Sequence, residues 1–201
     1  MASRTNVNLR IAAIVMLMIA LTCFGLSRRF AATPADVSAL TLDELKDGLG
    51  LSLTDAVLLG KYAYTQGHGG PSAHHCALSF TTADGIKAVA SLEVFPDGPL
   101  YETMAAVQAG RRSNQLSFCA TATALDMTLS DYLNDFVRQT FGPLTPYRVA
   151  PLELIWAGEN PEDYAAGMAG ERGFYVKCAA VCAALAASLF LISFFIRRNN
   201  K

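Results

Sequence analysis

An α+β fold is predicted for the middle of this 201-residue chain, held between two membrane-crossing helices. Three observations predict it. Apolar runs occupy 11–26 and 176–196. Between them, segments that alternate apolar and polar residues are interleaved with segments of helical period. Caps and Gly, Pro and Asp turn signals separate the two kinds.

The first run, Ile11 to Leu26 (IAAIVMLMIALTCFGL), follows a basic segment holding Arg4 and Arg10. A bilayer-crossing helix needs about 20 apolar residues, so this run is borderline. A short apolar run behind a basic head also fits a removable signal peptide. Arg28 and Arg29, however, stand where a small-residue cleavage site is wanted. The reading is therefore an uncleaved signal anchor: residues 1–10 as a cytoplasmic tail, 11–26 as transmembrane helix 1. Val176 to Ile196 (VKCAAVCAALAASLFLISFFI) meets the length outright, with Lys177 only at its edge. It makes transmembrane helix 2, and 197–201 a second cytoplasmic tail.

Residues 30–173 have the size of one domain with its own core. Thr41-Leu-Asp-Glu44 is a capping box, and the helix it opens can end at Gly48. Asp55 to Thr65 is rich in strand formers. Cys76 to Thr82 and Ile86 to Phe95 flank Ala83-Asp84-Gly85, and Asp-Gly there signals a hairpin. In the second arm Ile86, Ala88, Ala90, Leu92 and Val94 alternate with Lys87, Ser91 and Glu93, so one face is buried. Leu100 to Arg111 reads as a helix and Gln115 to Leu125 as a strand. Leu129, Tyr132, Leu133, Phe136, Val137 and Thr140 follow the i, i+3, i+4, i+7 spacing, with Thr128 as cap and Gly142-Pro143 as terminator. Tyr147 to Trp156 is a last strand. Asn160-Pro161-Glu162-Asp163 opens a final helix, with acids at its positive end. The sum is an antiparallel sheet of four or five strands with helices on one face. Short joins, 27–33 and 167–173 (GMAGERG), hold the domain close to the bilayer.

Charge is partitioned. All 17 Asp and Glu lie in 30–173 against 8 of the 16 Lys and Arg, a net charge of −9. Outside 30–173 every charge is basic: Arg4, Arg10, Arg197, Arg198 and Lys201 on the tails, Arg28, Arg29 and Lys177 on the domain side, where Arg172 joins them. The positive-inside rule then puts both tails in the cytoplasm, five side chains against four. The expectation is an integral protein of a bacterial inner membrane with its domain outside the cytoplasm. An acidic domain with only Arg111–Arg112 adjacent excludes nucleic acid as a partner. Neither span carries a deep charge, as a transport path would require.

Of five cysteines, Cys76 and Cys119 fall in the domain. In an oxidising compartment they form a candidate disulfide, contributing about 3–4 kcal/mol. Strand parity opposes it: Cys76 shares the inward face with Leu78 and Phe80, whereas Cys119 is opposite to Leu116 and Phe118. Free or metal-bound thiols are the alternative. In the second span Cys178, Cys182 and Ala186 lie one turn apart, with Ala179, Ala183 and Ala187 as a second small stripe beside them. Such faces let helices approach closely in lipid. They serve either a partner helix, in a homo-oligomer or with other membrane subunits, or only the first span of the same chain.

All three histidines lie in TQGHGGPSAHHCALSF, residues 65–80. His74 and Cys76, at i and i+2 on a strand, point one way, and His68 on the Gly-rich loop can fold over as a third ligand for Zn or Cu. No H-E-x-x-H or C-x-x-C spacing accompanies them, and a Gly-Pro loop explains the segment equally. No G-x-S-x-G elbow or other catalytic pattern occurs, and Asp43–Glu44 and Glu162–Asp163 are accounted for by helix N-termini. The expected function is a non-catalytic accessory, assembly or interaction subunit of a membrane complex. The alternatives are a sensor or metal-binding domain and, after it, a metal-dependent enzyme.

Overall fold

A computed structural model describes residues 2–28, 33–66 and 72–199. The elements in order are α1 (Ala2–Ser27), β1 (Ala35–Asp36), β2 (Gly50–Thr65), β3 (Ala73–Thr81), β4 (Lys87–Val94), α2 (Tyr101–Gln108), β5 (Gln115–Ala124), α3 (Met127–Phe141), β6 (Tyr147–Gly158) and α4 (Pro161–Asn199). The chain divides into two units. One is the mixed domain, 31–167, and the other joins 1–30 with 168–201.

The domain is α+β, but its six-stranded sheet is mixed, not purely antiparallel as expected. The order is β1-β2-β3-β4-β6-β5, with β4 and β6 parallel and β1 parallel to β2. The sheet also closes. Val57 of β2 pairs with Ser79 of β3 on one edge and with Gln115 of β5 on the other. Strands β2 to β4 are consecutive antiparallel neighbours and β5 returns beside β2, a Greek key. β6 then fits between β4 and β5. Five strands closed this way form a Greek-key barrel of the OB type, an architecture that by itself implies no ligand. Closure depends on the length and bending of β2. Its register shifts at Leu53/Ala56, Leu58/Gly60 and Lys61/Ala63 are bulges, which sharpen twist and turn a strand from one neighbour to the next. Two positions carry the unusual backbone: Asp55 at φ 56° and Gly60 at φ 150°.

The two faces bury different clusters. The inner one gathers Leu51, Leu53, Leu78, Phe80, Leu92, Val94, Leu116, Phe118, Leu152 and Leu154, completed by Met104 of α2 and by Val37 and Leu45. The alternation seen in β4 and β5 puts these side chains on one side. Leu133 and Val137 of α3 cover Ala77 and Val89 on the outer face. Helices therefore lie on both faces, where one was expected, because the closed sheet leaves an outer apolar strip needing its own cover.

Local signals fared unevenly. At the hairpin Gly85 takes φ 74° and Thr82 N–H donates to Ile86 O at 3.0 Å. α3 starts at Asp126, whose carboxylate accepts from Thr128 N at 2.8 Å, so Asp126 and not Thr128 is the cap. It ends at Gly142, φ 83°. The Thr41–Glu44 box forms, with Thr41 N donating to Glu44 Oε2 at 2.9 Å, but it closes only a 3-10 turn. Gly48 N–H is drawn instead to Ala122 O at 2.8 Å, which leads into β2. Asn160 Oδ1 caps α4, accepting from Glu162 N and Asp163 N, both at 2.9 Å. The 167–173 segment, expected as a join, is helical throughout, so the final domain helix and the second apolar span are one element.

In the other unit two helices, Val7–Ser27 and Pro161–Ile196, are long and apolar enough to cross a membrane. Their shielded positions recur at alternating spacings of four and three. On α1 these are Leu9, Ala13, Met16, Ala20, Cys23 and Ser27; on α4, Tyr175, Ala179, Cys182, Ala186, Leu189, Ser193 and Ile196. This is the spacing of a heptad seam. Ala13, Ala20, Ser27, Ala186 and Ser193 are buried, and Arg10 Nε donates to Ser193 Oγ at 3.1 Å.

Candidate functional site

Strand β3 carries the chemistry because its alternate residues serve two environments. His74 and Cys76 face the inner cluster and His75 the outer side. His68 lies outside the described residues.

On the inner side Cys76 is fully buried, and its thiol donates to Met104 Sδ at 3.1 Å. Burial pushes this thiol up to about 11, with Lys61 opposing only in part. His74 stacks on Tyr101, with ring centroids 5.7 Å apart, and lies 5.3 Å from the ring of Tyr64. Its Nδ1 is buried and has no hydrogen-bond partner. Burial first, then Lys61 and His75, hold its pKa below the ordinary histidine value. Tyr101 and Met104 are separated by one turn of α2, so one helix face meets alternate residues of one strand.

On the outer side His75 is buried instead of facing water. Its Nδ1 lies 2.7 Å from Glu153 Oε1 and its Nε2 lies 2.9 Å from Thr65 Oγ1. Ser91 donates to Glu153 Oε1 at 3.3 Å, and Tyr62 donates to Ser91 at 2.8 Å. A carboxylate only accepts, so Nδ1 carries a hydrogen toward Glu153, and Nε2 meets the Thr65 hydroxyl, a group that can donate or accept. The network ties β2, β3, β4 and β6 across the sheet, with Phe136 of α3 beside Tyr62. Burial raises the Tyr62 phenol to about 12. Carboxylate, imidazole and hydroxyl stand in the order of a nucleophilic relay. A hydrolytic site further needs oxyanion donors and a substrate cleft beside the hydroxyl. One cleft of the domain, about 260 Å³, is lined by Leu100, Thr103, Arg112, Phe118, Trp156 and Glu159, none of them a member of this network.

Glu93 flanks this network, opposite His75 across the β3–β4 pair. Burial, then the charge of Glu153, raise its pKa, with His75 opposing. A raised carboxylate pKa means folding is unhindered below the unfolded value and loses stability as pH rises through the folded value. Glu93→Gln is therefore expected to raise the unfolding midpoint at pH 7 and to leave it unchanged at pH 3. Thermal unfolding of the solubilised full-length protein at both values checks this.

Cys119 is also buried, on the side of β5 away from Phe118. Burial raises its thiol pKa, while a hydrogen bond with Ser52 lowers it. The expected Cys76–Cys119 disulfide is not formed; both thiols are free. β2 runs between the two strands, pairing Lys61 with Cys76 but Ser52 with Cys119. Those β2 positions are far apart at roughly 3.3 Å per residue, beyond any bridge. Cys178, Ala179 and Cys182 are part-shielded and Ala186 buried, whereas Ala183 and Ala187 stay exposed. Among the described residues no three His, Cys, Asp or Glu side chains converge as a metal set. Glu153, Ser91, Tyr62 and Met104 were not singled out from sequence. Ser91 and Glu93 read as a wetted strand face, and Met104 as one helical apolar residue.

No family model matches the chain, and no curated protein is significantly similar to it.

Proposed function

We propose that this chain is a two-pass membrane protein whose acidic domain lies outside the cytoplasm, in a bacterial inner membrane. It serves as a non-catalytic accessory, assembly or interaction subunit of a membrane complex. The observation that carries this reading is the uneven use of α4. Its Ala179, Cys182, Ala186 and Ser193 positions are shielded along the heptad seam, while Ala183 and Ala187, one turn apart, remain exposed. In lipid, where helices associate by close packing, an unused small-residue stripe suits a second contact, with a partner subunit or another copy. The acidic domain, net −9, supports a protein partner over nucleic acid.

The test is chemical crosslinking of the full-length protein in its native membrane, followed by mass spectrometry. A discrete crosslinked neighbour is expected, lost in the double variant Ala183→Phe/Ala187→Phe, with the domain's unfolding midpoint unchanged. A lone monomer with no crosslinked neighbour would overturn the reading.

A further inference from the structure

We propose that Cys76, Met104 and His74 form a binding site for one soft monovalent cation, Cu(I), against the inner cluster of the barrel. The inference is independent of the membrane-partner reading.

Three observations converge. A thiol and a thioether are already in contact, Cys76 Sγ to Met104 Sδ at 3.1 Å. A buried imidazole nitrogen two residues along the same strand face, His74 Nδ1, has no partner. One face of α2 holds both ends, since Tyr101 stacks on His74 and Met104 meets Cys76. A buried unpaired polar atom is uncommon in a folded protein and calls for an explanation, and this one lies on the strand face that carries Cys76.

The donors choose the metal. Thiolate and thioether select Cu(I), while zinc sites are built from thiolate, imidazole and carboxylate. Charge chooses it again. Binding replaces the Cys76 proton: the S–H bond breaks, an S–Cu bond forms, and one proton leaves to solvent. Thiolate and Cu(I) together are neutral in a fully buried setting. Zn(II) on the same single thiolate would leave a net positive charge buried, which is costly. Met104 is an unbranched side chain that adjusts readily, so the two sulfurs can open from direct contact to straddle an ion. The sequence pair His74–Cys76 thus acquires its third ligand from α2.

The experiment is an anaerobic Cu(I) titration of reduced, solubilised full-length protein against a chromophoric Cu(I) chelator, with Zn(II) in parallel. Cys23, Cys119, Cys178 and Cys182 are changed to Ala to remove the other four thiols. One Cu(I) per chain is expected, with weak Zn(II) binding and a copper-edge X-ray absorption spectrum showing sulfur and nitrogen ligands. Met104→Leu, close in volume, should weaken Cu(I) at least tenfold while the unfolding midpoint stays within a few degrees. Cys76→Ser should abolish binding. Cu(I) retained unchanged in Met104→Leu, or Zn(II) bound as tightly as Cu(I), would overturn the proposal. Should Cys76→Ser fail to fold, the Met104→Leu titration and the absorption spectrum decide alone.

Discussion

Tyr164→Ala is expected to cost about 3–5 kcal/mol, the range for deleting a buried aromatic ring. Tyr164 is the largest fully buried side chain of the domain, 1% exposed, although it belongs to the first turn of α4. The barrel is cut to receive it. A methyl group at Gly50, the first residue of β2, would collide with the Tyr164 hydroxyl and ring. At Gly158, the last residue of β6, it would come within 2.7 Å of the Tyr164 backbone nitrogen. The phenol also bonds with Thr121 of β5, and burial raises its pKa. The side chain therefore meets β2 and β5, and its backbone lies against β6. The two glycines separate side-chain from backbone causes. Gly50→Ala should be strongly destabilising alone and nearly neutral in the Tyr164→Ala background, because the obstructing atoms are then gone. Gly158→Ala should be destabilising in both, because the obstruction is main chain. Chemical denaturation of the solubilised protein, read by near-ultraviolet dichroism, measures the five variants against the parent. A loss below about 1 kcal/mol in Tyr164→Ala would mean that the site collapses around the missing ring.

That interlock marks the boundary of what one sequence discloses. Elements specified by near neighbours were legible: the period of α3, its stop at Gly142, and the Asp84-Gly85 hairpin. Strand parity correctly placed Leu116 and Phe118 together and separated Cys119 from them. Apart from the cap of α3, Asp126 in place of Thr128, the errors involve distant partners. Residues 50–54 were not read as strand because Gly48 and Gly50 look like punctuation. They extend β2 because β5 and β1 pair with them, and Gly50 is small because Tyr164 lies over it. The parallel β4–β6 pair joins segments separated by a helix, a strand and another helix, so no local pattern encodes it. The glycines at 167, 170 and 173 cost helix propensity, up to about 1 kcal/mol each. A 39-residue helix held by caps at Asn160 and an apolar span tolerates them. The chemistry shows the same limit. His74 and Cys76 were paired by alternation, but Met104 comes from 28 residues beyond Cys76 and Glu153 from 78 beyond His75.

Glu153→Leu is the second large effect, expected to destabilise by about 2–5 kcal/mol, because two buried donors lose their acceptor at about 1–3 kcal/mol each. The His75 side chain is 3% exposed and that of Glu153 15%, so water cannot readily take the place of the lost carboxylate. His75 Nδ1–H and the Ser91 hydroxyl would each lose their acceptor. One effect opposes this: the charge of Glu153 also raises the Glu93 pKa, and its removal relieves Glu93. Glu93 is only partly buried, so that relief is a small offset, well under the desolvation penalty. The identity of the cause follows from two companions. Glu153→Gln keeps an acceptor for Nδ1–H and should lose only about 1 kcal/mol. The double variant His75→Leu/Glu153→Leu removes donor and acceptor together and should recover at least half of the single loss, since matched apolar groups can replace a buried pair. Thr65 is exposed and satisfies its hydroxyl with water, and Tyr62 keeps Ser91. A double variant no more stable than Glu153→Leu would place the loss in packing, not in the unpaired imidazole. A single variant within 1 kcal/mol of the parent would mean that this face of β3 is open to solvent.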